Sequence, residues 1–243
     1  MDFLSALDAD YRRFTAATKQ AGPAVKVPTC PEWTVDDLVS HLGHVYLHKA
    51  ECMRLNADPE PWPPNLGDET APDLLRRAYS ELNDEFASRA PESPAKTWFS
   101  PDQTVGFWIR RMAQETVIHR IDAELAAGID SLPIAEDLAF DGIDEILRIF
   151  LVWGANEWPD YYGDPLSTTD GAVQVGDFLV TWKESRMAVD KAPDGIQAQA
   201  TVTGSPDALL RWLWRRAGDE TVDITGDRAK VAQFSELLRI STQ

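Results

Sequence analysis

Glu115 and His119 stand four residues apart in RRMAQETVIHRIDAELAAG, residues 110–128, a stretch that reads as one helix. At about 3.6 residues per turn, this spacing stacks a carboxylate and an imidazole on one face. Such a pair can share a metal ion. Three of the chain's four histidines, His41, His44 and His48, follow at spacings of three and four in a second stretch, CPEWTVDDLVSHLGHVYLHKAE. They also fall along one helix face. One of them, meeting Glu115 and His119 across a helical bundle, would complete a site of two imidazoles and one carboxylate. That donor set suits zinc and related divalent ions, and three protein ligands leave a coordination position open for water or substrate.

The elements that must position these side chains can be read from the apolar periodicity. Phe3, Leu4, Leu7, Tyr11 and Phe14 recur at helical spacing over residues 2–20, and Gly22 and Pro23 end that helix. Pro28 and Pro31 exclude helix from VKVPTCPEWT, which reads as a loop. Thr34, followed by Asp36 and Asp37, then caps a second helix running to about residue 56. Trp33, just before the cap, is placed to staple against Leu38. Beyond the proline-rich ADPEPWPPNLGDETAP, a third stripe is formed by Leu74, Leu75, Ala78, Leu82 and Phe86. The fourth helix, about 104–127, stops at Gly128 and Pro133. An up-and-down bundle is the economical arrangement.

From residue 134 the pattern changes. One more amphipathic helix, about 135–152, precedes short alternating segments at 178–182, 186–189 and 197–204 that suit strands. EWPDYYGD between them reads as a loop. Ser205, Pro206 and Asp207 open a helix through LLRWLWRR to Gly218, in which Trp212 and Trp214 suit packing; VDITG suits a short strand or turn, and 227–238 a last helix. The expected fold class is therefore α+β, with a helical bundle over residues 1–132 and a small α/β domain over 133–243.

A net charge of −17 over 243 residues would repel a phosphate backbone, so nucleic acid is excluded as a partner. No apolar run approaches the ~20 residues that span a bilayer, and MDFLSALDADYRRF has acids where a secretory signal has basic residues, so a cytoplasmic protein without a membrane partner is expected. Two cysteines, Cys30 and Cys52, do not make a disulfide framework.

The combination of PTCPEWTVDDLVSHLGHV and RRMAQETVIHRIDAELAAG, with ATVTGSPDALLRWLWRRAGDETVDITGD near the end, resembles the mycothiol-dependent maleylpyruvate isomerase family. The resemblance covers nearly the whole chain. It implies a DinB-like four-helix bundle followed by a smaller domain likened to sterol carrier folds. The family's W[ST]xxxL[IV]xH pattern falls on Trp33, Thr34, Leu38, Val39 and His41, and thereby selects His41 over His44 and His48 as first metal ligand. ExxxH supplies Glu115 and His119. The resemblance further implies zinc or another divalent ion, mycothiol as thiol cosubstrate, a small-molecule electrophile as acceptor, and isomerase or S-transferase chemistry. A monomer or weak homodimer is expected.

Other residues have weaker signals. Asp122, three residues after His119, is a catalytic candidate that could orient a ligand, or could instead pair with Arg111 or Arg120. Arg111, Arg211 and Arg215 could hold a substrate carboxylate. Two rival readings keep the metal but remove catalysis: a DinB-like metal-binding or stress-response protein, and an anti-sigma-like zinc protein. The second is disfavoured because Cys52 lies eleven residues beyond His41 and the chain has no CxxC.

Overall fold

The computed structural model describes residues 1–193, 195 and 198–242. The chain divides into two compact units, Met1–Leu132 and Pro133–Gln243.

The first unit is built on four long helices. Helix α1, Phe3–Ala21, starts at Asp2, whose carboxylate accepts the Ser5 amide at 3.1 Å. A two-stranded antiparallel hairpin follows, β1 (Lys26–Val27) with β2 (Cys30–Thr34), where a plain loop was expected. The prolines bar helix but leave an extended ribbon open to pairing. Helix α2, Val35–Leu55, begins with a reciprocal cap: the Thr34 amide donates to Asp37 Oδ2 at 2.8 Å, and the Asp37 amide to Thr34 Oγ1 at 3.3 Å. Helix α3 spans Ala71–Ser88 and α4 spans Val105–Ala126.

Helix α2 packs on α3 and on α4, and α1 packs on α4. The α2–α3 approach is close at Gly43, where a β-carbon would lie 2.9 Å from Leu74 Cγ and 3.1 Å from the Leu75 backbone nitrogen. Helix α4 is central, with buried residues on nearly every side, polar ones included. Those polar groups need partners inside the protein. Arg120 donates to Asp10 Oδ1 at 3.0 Å, Glu124 Oε2 at 2.8 Å and the Leu132 carbonyl at 2.6 Å. Glu124 also accepts from Arg13 Nε at 2.6 Å and Ser131 Oγ at 2.7 Å, so an ion-pair network sews α1 to α4.

The second unit opens with α5, Glu136–Glu145, which continues as a π-helix over Ile146–Trp153 and a last turn, α6, Gly154–Glu157. The single α-helix expected here is thus widened by a π-helical segment. Helix α7, Pro159–Ser167, occupies the stretch read as a loop: Pro159 sits in its first turn, and Gly163, at φ 49°, breaks it in the middle. A five-stranded sheet follows, formed by β3 (Gly171–Val175), β4 (Phe178–Lys183), β5 (Arg186–Lys191), β6 (Ala200–Thr203) and β7 (Asp223–Gly226) in the order β5-β4-β3-β6-β7. β3 pairs parallel with β6, and the other pairs are antiparallel. The strand expected over 197–204 is observed from Ala200; its first residue, Gln197, lies outside the described residues. Helix α8, Pro206–Leu213, stops five residues earlier than expected, and α9 spans Arg228–Ser241. Val173, Val180, Trp182, Val202, Leu213 and Phe234 form the centre of the core. Trp212 stacks near Phe234, centroids 6.1 Å apart, and its Nε1 donates to Asp219 Oδ1 at 2.9 Å. Among the described residues, no helix is long and apolar enough to cross a membrane.

Candidate metal centre

Two sequence features fix the geometry of the His41, Glu115 and His119 cluster. The Thr34 cap sets where α2 begins, and therefore which face carries His41. The four-residue spacing on α4 puts Glu115 and His119 on one stripe. Helices α2 and α4 pack antiparallel, and one potential ligand atom from each of His41, Glu115 and His119 lies within 4.8 Å of the others. His41 Nε2 is 3.1 Å and His119 Nε2 3.2 Å from Glu115 Oε1, and the two imidazoles meet edge to face at 4.9 Å. The side chains are 34%, 13% and 10% exposed for His41, Glu115 and His119, so the cluster is sheltered but reachable.

Glu115 is not the surface residue that a chance Glu–His pair on a helix would be. Burial alone would raise its pKa, but the positive charges of Arg111 and His119 outweigh that and hold the carboxyl well below the ordinary range. Arg111 donates to the second carboxylate oxygen, Oε2, and leaves Oε1 to the imidazoles. Burial disfavours a charged His119, yet the carboxylates of Glu115 and Asp122 more than compensate and raise its pKa to about 9.

Asp122 sits behind the cluster. Its Oδ2 takes the Nδ1 side of His119 at 2.9 Å, and its Oδ1 accepts Thr29 Oγ1 at 2.5 Å. A histidine with Nδ1 engaged presents Nε2 as donor atom, the arrangement metal-ligating histidines use. The alternative pairing with Arg120 does not form, since Arg120 goes to Asp10 and Glu124.

Trp33, expected as a staple against Leu38, lies beside the imidazoles, with centroids 4.8 Å from His41 and 6.3 Å from His119. Thr29 was not singled out by sequence. Its only signal is a hydroxyl in the proline-bounded loop next to the cap. His44 turns back to the Ser40 carbonyl at 2.8 Å, and His48 Nδ1 lies 3.3 Å from Cys52 Sγ and 3.1 Å from Lys49 Nζ. Neither joins the cluster. Burial and the neighbouring ammonium push His48 down to about 4, and burial raises the Cys52 thiol to about 11. Neither cysteine is in a disulfide. Of the arginines proposed for a substrate carboxylate, Arg111 is engaged by Glu115, Arg211 pairs with Asp207 at 2.9 Å, and Arg215 donates to Thr242 at 2.8 Å.

The donor set fits a divalent ion. Two Nε2 atoms and one ionised carboxylate oxygen converge, one imidazole is oriented from behind, and borderline nitrogen and oxygen donors match zinc and its neighbours.

Comparison with known proteins adds to this geometry. Residues 4–124 match the family model described as "Mycothiol maleylpyruvate isomerase N-terminal domain", and residues 137–233 match the "MDMPI C-terminal domain". The crystal structure of a mycothiol-dependent maleylpyruvate isomerase is similar at 13% identity, covering 95% of this chain and 96% of its own, with a TM-score of 0.55, a likeness of fold. A UbiJ-SCP2 ubiquinone synthesis protein covers 44% of this chain and 94% of its own at 20% identity, with a TM-score of 0.27. The comparison with curated proteins gave no match. Since the two family models together account for most of both units, the chain belongs to the mycothiol-dependent maleylpyruvate isomerase family and is an enzyme of that isomerase type.

Proposed function

We propose that the protein is a metal- and mycothiol-dependent isomerase or S-transferase acting on a small electrophile, with His41, Glu115 and His119 as its metal ligands. The observation that carries this reading is the convergence of those three side chains within 4.8 Å. A bound divalent ion, zinc being the best fit to the donors, would supply a charge that keeps the thiol of the cosubstrate as thiolate at neutral pH.

The protein's own groups do the remaining work. Asp122 holds His119 by Nδ1, Arg111 keeps Glu115 ionised, and Trp33 sets an apolar ring beside both imidazoles. Isomerisation requires a double bond to become single for long enough to rotate. Addition of thiol sulfur to an activated alkene does that, and elimination of the same sulfur returns the thiol and the trans product. A transferase keeps the new carbon–sulfur bond.

The test is elemental analysis of the purified protein beside Glu115→Ala, with maleylpyruvate turnover measured in the presence and absence of mycothiol. About one divalent ion per chain, lost in the variant together with thiol-dependent turnover, is expected. A wild type that holds no metal after reconstitution overturns the reading.

A further inference from the structure

We propose that the seam between α1 and α3 is a second binding site, one that takes an α-amino acid with a large apolar side chain. It is separate from the His41, Glu115 and His119 cluster and does not depend on reading that cluster as a metal centre.

The cavity follows from how the bundle is pinned. Helix α1 packs on α4 and α3 packs on α2, so α1 and α3 complete the ring of four without a long common face. They meet at Tyr11 and Tyr79, whose rings stack with centroids 3.5 Å apart, and the Tyr79 hydroxyl donates to Asp8 Oδ1 at 3.2 Å. Past that stack, toward the end of α1 and the start of α3, the helices leave a pocket of about 530 Å³. Its floor is apolar and buried, made by Val35 and Val39 of α2 and Leu75 of α3. The surrounding elements are held in place. The Asp36 amide donates to the Pro23 carbonyl at 3.0 Å and the Val35 amide to the Val25 carbonyl at 2.8 Å, while the close approach at Gly43 ties α2 to α3. A concave, pre-formed and largely apolar pocket of this size falls within the ~300–1,000 Å³ of small-molecule sites. Val39 and His41 are two residues apart, roughly 200° around the helix, so the floor and the cluster occupy opposite sides of α2.

Charge at the rim identifies the head group. The charged lining residues are Lys19 on α1, Asp36 on α2 and Arg76 on α3. Arg76 is already joined to Asp73 at 2.6 Å, a neutral pair. Lys19 and Asp36 have no ion-pair partner among the described residues, and they stand on different walls. The first amides of α2 are taken by Pro23 and Val25, which leaves Lys19 to receive an anion. The rim therefore presents one cation and one anion over an apolar floor. A zwitterion with an apolar body matches all three features: Lys19 receives its carboxylate, Asp36 its ammonium, and Val35, Val39 and Leu75 its side chain. A simple carboxylate meets repulsion from Asp36, and a simple amine from Lys19.

The experiment is ligand-observed NMR titration of the full chain with L-phenylalanine, 3-phenylpropanoate and 2-phenylethylamine, for wild type, Thr15→Trp, Lys19→Gln, Asp36→Asn and Glu115→Ala. Thr15 is exposed on α1 and lines the opening, so a tryptophan there fills the pocket from outside the core. Wild type is expected to bind L-phenylalanine saturably and each single-charge analogue about threefold to fivefold more weakly, the scale of one exposed charge pair. Lys19→Gln should weaken L-phenylalanine and 3-phenylpropanoate but not 2-phenylethylamine. Asp36→Asn should weaken L-phenylalanine and 2-phenylethylamine but not 3-phenylpropanoate. Residues that merely support the fold would weaken all three ligands alike, which would overturn the proposal. Thr15→Trp, its fold checked by thermal unfolding, should abolish binding, and Glu115→Ala should retain it. No saturable binding of L-phenylalanine, equal binding of either analogue, survival of binding in Thr15→Trp or its loss in Glu115→Ala would also overturn it. A protein found to hold no metal leaves these titrations as they are, because no lining residue belongs to the cluster.

Discussion

His119 Nδ1 stands 2.9 Å from Asp122 Oδ2, and this contact determines which nitrogen of the imidazole faces Glu115. Asp122 is itself fixed by Thr29 from ninety-three residues away. Removing the orienting carboxylate should leave the fold intact and loosen the ligand. Asp122→Asn is expected to weaken divalent-ion affinity about 10–100-fold, with Thr29→Ala weaker in the same direction. Competition against a chromophoric chelator measures this. Wild-type affinity in Asp122→Asn would remove the orienting role.

Metal removal should be visible in stability. An ion that binds only the folded state stabilises it by about 2.7 kcal/mol at a hundred times its Kd. Zinc added to the stripped protein is therefore expected to raise Tm in wild type and in His44→Ala, because His44 is turned back to the Ser40 carbonyl. His41→Ala should show no such rise. Loss of the shift in His44→Ala with retention in His41→Ala would mean that the other histidine is the ligand.

The α1–α4 ion-pair network should be costly to break. Replacing Arg120 by Met takes a cation from half-buried Asp10 and from buried Glu124, which keeps only Arg13, a loss of about 3–5 kcal/mol at neutral pH. The pH dependence has a definite sign. Burial acts to raise Glu124, but Arg13, Arg120 and Ser131 hold its pKa below the ordinary value. Its stabilising contribution is thus present above the unfolded-state pKa of about 4.3 and is lost as pH falls through the folded value. Burial keeps Asp10 above its ordinary value despite Arg120, so this group runs the other way and favours the folded state in acid. Removing Arg120 lets both folded-state values rise. The deficit of Arg120→Met should therefore be largest near pH 7 and narrow toward pH 4, as read by urea unfolding at both. A deficit that widens in acid would contradict the network's electrostatic role.

Gly43 carries the α2–α3 contact by lacking a side chain. Gly43→Ala places a carbon 3.1 Å from the Leu75 backbone nitrogen and is expected to cost about 1–3 kcal/mol, since backbone cannot move aside as a side-chain end can. Gly204→Ala is the control, because its added carbon meets nothing closer than 3.5 Å. Equal unfolding midpoints for the two variants would show that the helices have room to part.

Much of this was legible because the helices announce themselves. Caps such as Thr34 with Asp37, stops such as Gly22, and stripes such as Leu74 to Phe86 are local signals, and the bundle follows from them. The ligand trio was legible to the extent that ExxxH is a helical spacing; choosing among His41, His44 and His48 required the family resemblance, because all three share a helix face. What escaped was non-local or looked like punctuation. Trp33 reads as a local staple, and its place beside His41 and His119 was not legible because tertiary packing brings His119 to it. Pro159 and Gly163 read as loop residues because each is a breaker in a helix interior, yet Pro is tolerated in a first turn and Gly163 breaks α7 where it kinks. GAVQV is too short an alternation to stand out, and β3 owes its central place to β4 and β6 on either side.

The seam between α1 and α4 also sets an order of events during synthesis. Arg13 and Glu124 are 111 residues apart, so the first helix is made long before the last element that covers it. At 5–20 residues per second, α1 waits about 6–20 s for its partner. Until then the apolar face containing Leu7 and Phe14 lacks its main cover, and the His41, Glu115 and His119 cluster, split between α2 and α4, cannot assemble. An early α1 must therefore keep that face from other apolar surfaces until α4 arrives, and any ion held by His41, Glu115 and His119 can enter only after α2 and α4 have closed on each other.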